Sequence, residues 1–596
     1  MKDKSMHGNK HEGKHLVHSF IGHIGIAIGV VGCACVCQAE PVSTVAEFTN
    51  AIAKATTTGS TIELAAGVTF DFSTLKEYSN GTSWGTMSAP DGKGISCVWW
   101  QKQITIKGAD DTPWNEKTSA QETILDGGNV ARIFYGYGGS GRRSTFRNLT
   151  FRNGKASSGQ NGGAIVFNNS ESTGGAINCV FKECSAVSGG ATHCVPVSNS
   201  LFEDCSATSQ GGGAWCDKNY CILSGNVFRG CSATNGGAIY LSDLSASPAG
   251  HVTGCIVTNC SASSNGGGLY SLKASNAIND CRFRGNRAAN SGGALYSGTA
   301  TGCTFDSNTS TNQGGACYNS AASECAFFGN ASLSNRGGAM TLGTAVACAF
   351  TNNVCTKNGR GGACDKVIAV GCTFSGKGDV SCGSYNRCTF EGIVPDGNRP
   401  WVFDATSSNG SALGVTNCLV VSCSVGRIVN TAGQFADFVN CTFADNIISN
   451  NGYTAYCDVN GSASGAISFV NSIFSGNKQV DGSDADMKLW KAASGNCSLK
   501  FANCLYTSGL INQYRADVWT DIQQGPAKFV AGDPQFPDEP YYAILRQSKA
   551  RNTGVNAAWM TSDIDLAGRM RILEDVVDIG CFECNIACRG LTIIIQ

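Results

Sequence analysis

Between Cys281 and Cys364 apolar and polar residues alternate in short runs that return at a nearly constant interval. Cys281-Arg-Phe283 opens one run, Asn286 follows it, and Gly292-Gly293-Ala294-Leu295 opens the next. The pattern restarts at Cys303, Phe305 and Asn308 with Gly314-Gly315-Ala316, and at Cys325, Phe327 and Asn330 with Gly337-Gly338-Ala339. A further copy runs through Cys348, Phe350 and Asn353 to Gly361-Gly362-Ala363, and the phenylalanines step by 22, 22 and 23 residues. A fixed period of this size marks stacked units, each too small to hold a core alone. Alternation at every second position is the strand period, and no ten-residue segment here carries a helical stripe. Two or three short strands per turn, stacked about 4.8 Å apart so that each pairs with the turn above and below, predict an all-β chain: a right-handed parallel β-helix.

Each repeated column then has a physical task. Cys281, Cys303, Cys325 and Cys348 point inward with Phe283, Phe305, Phe327 and Phe350, and each buried ring contributes about 1.5 to 3 kcal/mol. Asn286, Asn308, Asn330 and Asn353 stand three residues later, where the strand must turn, and their amides both donate and accept along the axis. The Gly-Gly pair supplies positive φ and room for close approach at the opposite corner.

At the start of the chain, the basic residues Lys2, Lys4, Lys10 and Lys14 precede an apolar segment from Phe20 to Val36, and Cys37-Gln-Ala39 offers small residues for cleavage. Residues 1–39 therefore read as a secretory signal peptide. An uncleaved anchor, or a lipoprotein signal at Val30-Val31-Gly32-Cys33, is the alternative. Residues 40–145 are expected to form the amino-terminal cap and first coils, 146–510 the repeats, and 511–596 the last coils, a cap and a short tail. The helical spacing of Val45, Phe48 and Ile52 predicts a short amphipathic helix across the first open strand edge. Loops with Trp84, Trp99, Trp100 and Trp114 are expected to pack this cap rather than bind sugar faces. The segments Asp379–Asn409 and Ile447–Trp490, where the repeat is irregular, are the expected variable face.

Export changes how the 32 cysteines are read, since disulfides persist outside the cytosol. Their periodicity argues for an inward ladder of free thiols, which behave as small buried side chains. Ser200, Asn226 and Ser472 replace cysteine in single coils, and Cys184, Cys205, Cys231 and Cys260 hold the turn column that later coils give to asparagine. Stacked sulfurs without a Cys-x-x-Cys pair do not converge on a metal, so no metal is expected from these columns.

The paired Gly-Gly-Ala-apolar and Phe-x-x-Asn motifs, from about Phe151 to Phe474, resemble the repeats of chlamydial polymorphic outer-membrane proteins. That resemblance implies a surface-exposed β-helical adhesin. The carboxy-terminal autotransporter barrel of that family has no counterpart in the residues after Tyr506, so no transmembrane barrel is expected in this chain. The succession Asp533-Pro534, Tyr542, Asn552-Thr-Gly554, Asp565-Leu-Ala-Gly568 with Arg571, and Asp578-Ile-Gly580-Cys581-Phe582-Glu583 is instead similar to the ends of secreted bacterial β-helix proteins of the choice-of-anchor type. It implies that the β-helix closes itself near Glu583.

Candidate chemistry is sparse. Five of the seven histidines lie in the leader, and the remaining His193 and His251 read as structural or exposed rather than catalytic. Asp481, Asp484 and Asp486 could hold calcium through oxygen ligands, against the simpler reading of a solvated loop. No other cofactor is implied. The net charge is −1, or −3 without the leader, and no basic tract suits nucleic acid. A neutral polar surface fits an extracellular glycan, or a host or neighbouring cell surface, as partner. The expectation is an exported protein, secreted or associated with the outer membrane at the cell surface, adhesin-like or structural. The alternative is a polysaccharide lyase or glycoside hydrolase on the same fold, which needs acidic side chains aligned on neighbouring coils; the turn columns show none repeated in register.

Overall fold

The computed structural model describes residues 40–55, 59–73, 87–88, 95–100, 103–137, 144–168, 174–244, 251–357, 359–394, 400–406, 412–458, 464–486, 488–491, 497–507, 530–531, 533–536, 542–573 and 575–584. The expected leader, Trp84 and the tail after Cys584 lie outside the described residues. The chain is a right-handed parallel β-helix of three sheets. In a regular coil, Leu295–Tyr296 and Thr299–Thr301 belong to the first sheet, Thr304–Asp306 to the second and Thr309–Ser310 to the third. From Cys317–Ser323 onward the two first-sheet strands of a coil merge into one longer strand in several coils. Neighbouring rungs pair in register, with Phe283 opposite Phe305, Phe327 and Phe350 in turn.

The columns read from the sequence are present. Phe283, Phe305, Phe327 and Phe350 are buried, their rings stacked at centroid distances of 5.2, 4.8 and 4.7 Å and within 8° of parallel. At the first corner a residue with positive φ, such as Asp280 or Gly302, precedes each cysteine. The turn frees the cysteine amide, which donates to the thiol of the next coil: Cys281 N to Cys303 Sγ, Cys303 N to Cys325 Sγ and Cys325 N to Cys348 Sγ, each 3.4 Å. Each of these thiols in turn donates to a carbonyl two residues earlier, as Cys303 Sγ does to Thr301 O. These cysteines are therefore more than small apolar fillers, which explains the exchange with Ser200 and Asn226: Cys179 N donates to Ser200 Oγ and Ser200 N to Asn226 Oδ1.

The second corner repeats the device with asparagine. Asn286 donates its backbone N and its Nδ2 to Asn308 Oδ1, both at 3.0 Å, and the same pair of bonds continues through Asn330 to Asn353. All four are fully buried, and the spare Nδ2 hydrogen reaches a core carbonyl such as Phe283 O. At the third corner Gly314 has φ of 62°, while a Cβ on Gly315 would stand 2.0 Å from the carbonyl oxygen of Gly338. One glycine of the pair thus answers to backbone angle and the other to the closeness of the next coil.

The amino-terminal helix is Val45–Lys54, opened by a capping box between Thr44 and Glu47. It buries Phe48 and Ile52, and the Phe48 ring lies 5.8 and 6.0 Å from those of Phe70 and Phe72. At the other end, residues 542–584 add no coil. They fold back along the outer face of the second sheet, where Leu419, Val421, Ile473 and Leu505 pack on Ala543, Ile544, Ile579 and Phe582. Asp565 of the Asp-Leu-Ala-Gly motif and the whole Asp-Ile-Gly motif are the buried frame of this segment. Arg571 Nη1 lies 3.2 Å from Glu583 Oε1, Asp565 accepts from the amides of Arg569 and Glu583, and Asp578 from those of Asn552 and Cys584.

Candidate functional site

Along the first sheet, the residue after each inward apolar position points away from the core, and these residues form one continuous column. In register it runs Tyr135, Val166, His193, Trp215, Tyr240, Tyr270, Tyr296, Tyr318, Thr341, Asp365, Ser381, Asp404, Asn430, Tyr456, Trp490. Its chemistry changes along the axis, aromatic first, then polar and acidic, then aromatic again.

The first stretch is a stack of rings. Tyr240, Tyr270, Tyr296 and Tyr318 lie at centroid distances of 5.1, 4.7 and 5.1 Å. Because each ring covers the face of its neighbour, this row turns edges and hydroxyl groups outward. Trp215 meets Tyr240 edge-on and stacks on His193 at 4.4 Å.

The middle stretch holds two fully buried carboxylates, Asp365 and Asp404, with Ser381 between them. Two rungs separate their Cα atoms by about 10 Å. Burial raises the Asp365 carboxyl to about 6, although Arg336 Nη1, 3.7 Å away, works to lower it. Asp404 accepts from Thr406 Oγ1 at 2.8 Å and from Asn430 Nδ2 at 3.1 Å.

The last stretch is built by both irregular segments singled out in the sequence. Tyr456 stacks on Trp490 at 4.2 Å and 6°, and the guanidinium of Arg427 lies 3.4 Å above the Tyr456 ring. Trp401 is the second ring near that guanidinium, at 5.7 Å. Arg427 also donates to Asn430 Oδ1, so a chain of bonds joins this aromatic cluster to Asp404. Trp401, Arg427, Tyr456 and Trp490 are all half-buried, open to a partner on one side.

The structure does not bring the three candidate calcium ligands together. Asp481 is exposed and accepts from Ser483, and Asp484 is exposed in a bridge with Lys478. Asp486 is fully buried and ends the asparagine ladder, its Oδ1 accepting from Asn477 N and Nδ2 at 2.8 Å. It belongs to the core rather than to a solvated loop. Trp114 does not pack out of reach either: with Lys117, Glu122, Lys182 and Glu203 it lines a cavity of about 320 Å³ on the second sheet. The backbone of Trp99 pairs in register with that of Tyr135. His251 is fully buried, accepting from Ala277 N through Nδ1. His193 stands instead with Cys194 and Asp217, and among the described residues these three are the one group of histidine, cysteine and carboxylate ligand atoms within 4.8 Å of one another.

Sequence reasoning missed the column although part of its signal was present. His193, Trp215, Tyr240, Tyr270, Tyr296, Tyr318, Thr341 and Asp365 all sit at one fixed offset after a Gly-Gly pair. Asp404, Asn430, Tyr456 and Trp490 have no such marker, because their coils lack the glycines and differ in length.

No protein-family model and no curated protein matches the chain. Among solved structures, the PL6 family alginate lyase AlyGC is similar at 10% identity, with 85% of this chain and 79% of that one covered and a TM-score of 0.29. A mannuronic acid specific family 6 polysaccharide lyase from human gut microbiota shares 10% identity over 83% of this chain and 91% of its own, at a TM-score of 0.20. The pectate lyase Pel9A shares 12% over 90% and 91%, at 0.15. Likeness of this degree carries no argument about the site, whose reading rests on its own geometry.

Proposed function

We propose that the chain is an exported β-helical protein, secreted or held at a cell surface, that binds a glycan at the far end of the first-sheet column without cleaving it. The observation that supports this is the half-open cluster of Trp401, Arg427, Tyr456 and Trp490, which stands beyond the buried stretch from Thr341 to Asn430. A sugar needs an apolar ring beside fixed polar groups. Retention rather than turnover follows from the carboxylates. A general acid or base must come within hydrogen-bond reach of the glycosidic oxygen, and Asp365 and Asp404 are both fully buried.

The test is a binding panel of neutral and acidic polysaccharides with the purified protein and with the Trp490→Ala and Arg427→Ala variants. Retention by at least one glycan is expected, weakened about 10-fold or more in each variant, as for a buried aromatic or arginine anchor. Failure to bind any glycan or cell surface, or binding untouched by both substitutions, would remove the reading. A second reading, cleavage of the glycan, is favoured by one feature: Asp365, at about 6, lies in the range of a general acid. Shortened or unsaturated products from the same panel, lost in Asp365→Asn, would establish it instead. Export predicts that the protein recovered outside the cytosol begins at or near Glu40 on amino-terminal sequencing.

A further inference from the structure

His193 and Cys194 are consecutive, so in a regular strand their side chains would leave on opposite faces. Cys194 instead has φ of 57°, an uncommon conformation for a cysteine, and the alternation breaks there. As a result the thiol and the imidazole both reach Asp217 on the following coil. Cys194 Sγ contacts Asp217 Oδ1, and His193 Nε2 lies 3.7 Å from Asp217 Oδ2. That nitrogen is buried and has no hydrogen-bond partner, since 3.7 Å is beyond hydrogen-bond reach. It is close to the edge of about 3.3 Å expected between two ligand atoms 2.0–2.1 Å from one tetrahedral ion.

The surroundings hold the three groups in place. The His193 ring lies flat on Trp215, whose Nε1 is anchored on Ser242 Oγ at 3.0 Å. Asp217 follows Cys216, which forms a disulfide with Cys221 and so closes a tight loop around the carboxylate. Among the described residues, Lys218 is the lysine that competes for Asp217, its Nζ 3.7 Å from Oδ2, and its side chain is about half exposed and free to swing away.

We propose that His193, Cys194 and Asp217 form a binding site for a borderline divalent metal ion, zinc above all. One nitrogen, one sulfur and one oxygen donor suit that ion better than magnesium or calcium, which favour oxygen alone. Three protein ligands leave a further coordination position for water. The ion would tie two adjacent coils together at the head of the aromatic column, independently of glycan binding at Trp490.

Cobalt titration of the full protein under non-reducing conditions tests the site, because a thiolate ligand gives a charge-transfer absorption that carboxylate and imidazole do not. The wild type is expected to hold one more cobalt ion than Cys194→Ser and to show a thiolate band that the variant lacks. Asp217→Asn, at a partly open position, should keep the fold and lower zinc affinity by about 10-fold or more. Zinc should also raise the thermal midpoint of the wild type by mass action and raise that of Asp217→Asn less at the same zinc concentration. A wild-type spectrum indistinguishable from that of Cys194→Ser, or equal zinc affinity and equal thermal response in the Asp217→Asn protein, would overturn the assignment.

Discussion

A coil corner asks for two residues in succession, one that accepts positive φ and one whose side chain accepts a hydrogen bond from the amide that the turn has freed. Asn308 meets the second demand twice over, accepting from Asn286 N and Nδ2, and its own Nδ2 donates to Phe283 O and Asn330 Oδ1. Asn308→Ala strips two buried donors and a carbonyl of their partner and is expected to cost at least about 3 kcal/mol, at about 1–3 per orphaned group. Asn308→Cys should cost less, since Cys260 already fills this column two coils earlier, where its amide donates to Asn286 Oδ1 and its thiol to Thr258 O. Urea denaturation of the two variants decides it; equal losses would show that packing, not bonding, holds the corner. Asp365 makes a second residue-scale prediction. Its carboxyl is raised from 3.8 to about 6, so the folded chain holds this proton more tightly than the unfolded chain. The corresponding stability is complete below about pH 3.8 and is lost as the pH rises through about 6, amounting to about 3 kcal/mol at roughly 1.4 per pKa unit. Asp365→Asn should therefore flatten the dependence of the thermal midpoint on pH between about 4 and 7. An unchanged slope in that variant would refute the assignment.

At the scale of elements, each end of the β-helix meets a different need. The helix Val45–Lys54 lays Phe48 and Ile52 against the first coil, and Phe48→Ala should cost about 3–5 kcal/mol, the loss for a large buried ring. Hydrogen exchange should localise the damage to strands Ser60–Leu64 and Thr69–Asp71; uniform loosening would contradict a capping role. The carboxy-terminal segment answers to a flank rather than an end. It covers Leu419, Val421, Ile473 and Leu505, and its grip depends on the buried Arg571–Glu583 pair. Arg571→Ala leaves Glu583 buried without its counter-ion, a loss of about 3–5 kcal/mol. Limited proteolysis should then cut within residues 542–584 while the repeats persist. Loss of the repeats at the same rate would mean that the two fold as one unit.

In the whole molecule, among the described residues, a row of thiols runs through the interior and one disulfide, Cys216–Cys221, lies outside the ladder columns. The ladder thiols from Cys179 to Cys504 are buried. Burial shuts them off from reagents, and it pushes Cys179 and Cys504 up to about 12, so the folded protein should resist thiol alkylation and react throughout once unfolded. Mass spectrometry of alkylated native protein checks this; rapid modification of Cys303 or Cys325 in the native state would contradict the stacked interior.

The repeat itself was legible in the chain because every coil solves the same local problem. Inward ring, corner amide and glycine pair recur at set offsets, so Phe305, Asn308 and Gly315 could be placed from spacing alone, and so could the helix through Phe48. Spacing could not say that the corner thiols donate and accept hydrogen bonds, that Asp486 ends a ladder, or that Asp565, Arg571 and Glu583 meet inside the carboxy-terminal segment. Nor could it join Asp404, Tyr456 and Trp490 to Asp365, or His193 to Asp217. Those groupings form across coils of unequal length, where neighbours in space are separated by a number of residues that only the stacked backbone sets. Local periodicity determines what one coil looks like; the register between coils, settled by hydrogen bonds and packing throughout the stack, determines which side chains share a surface.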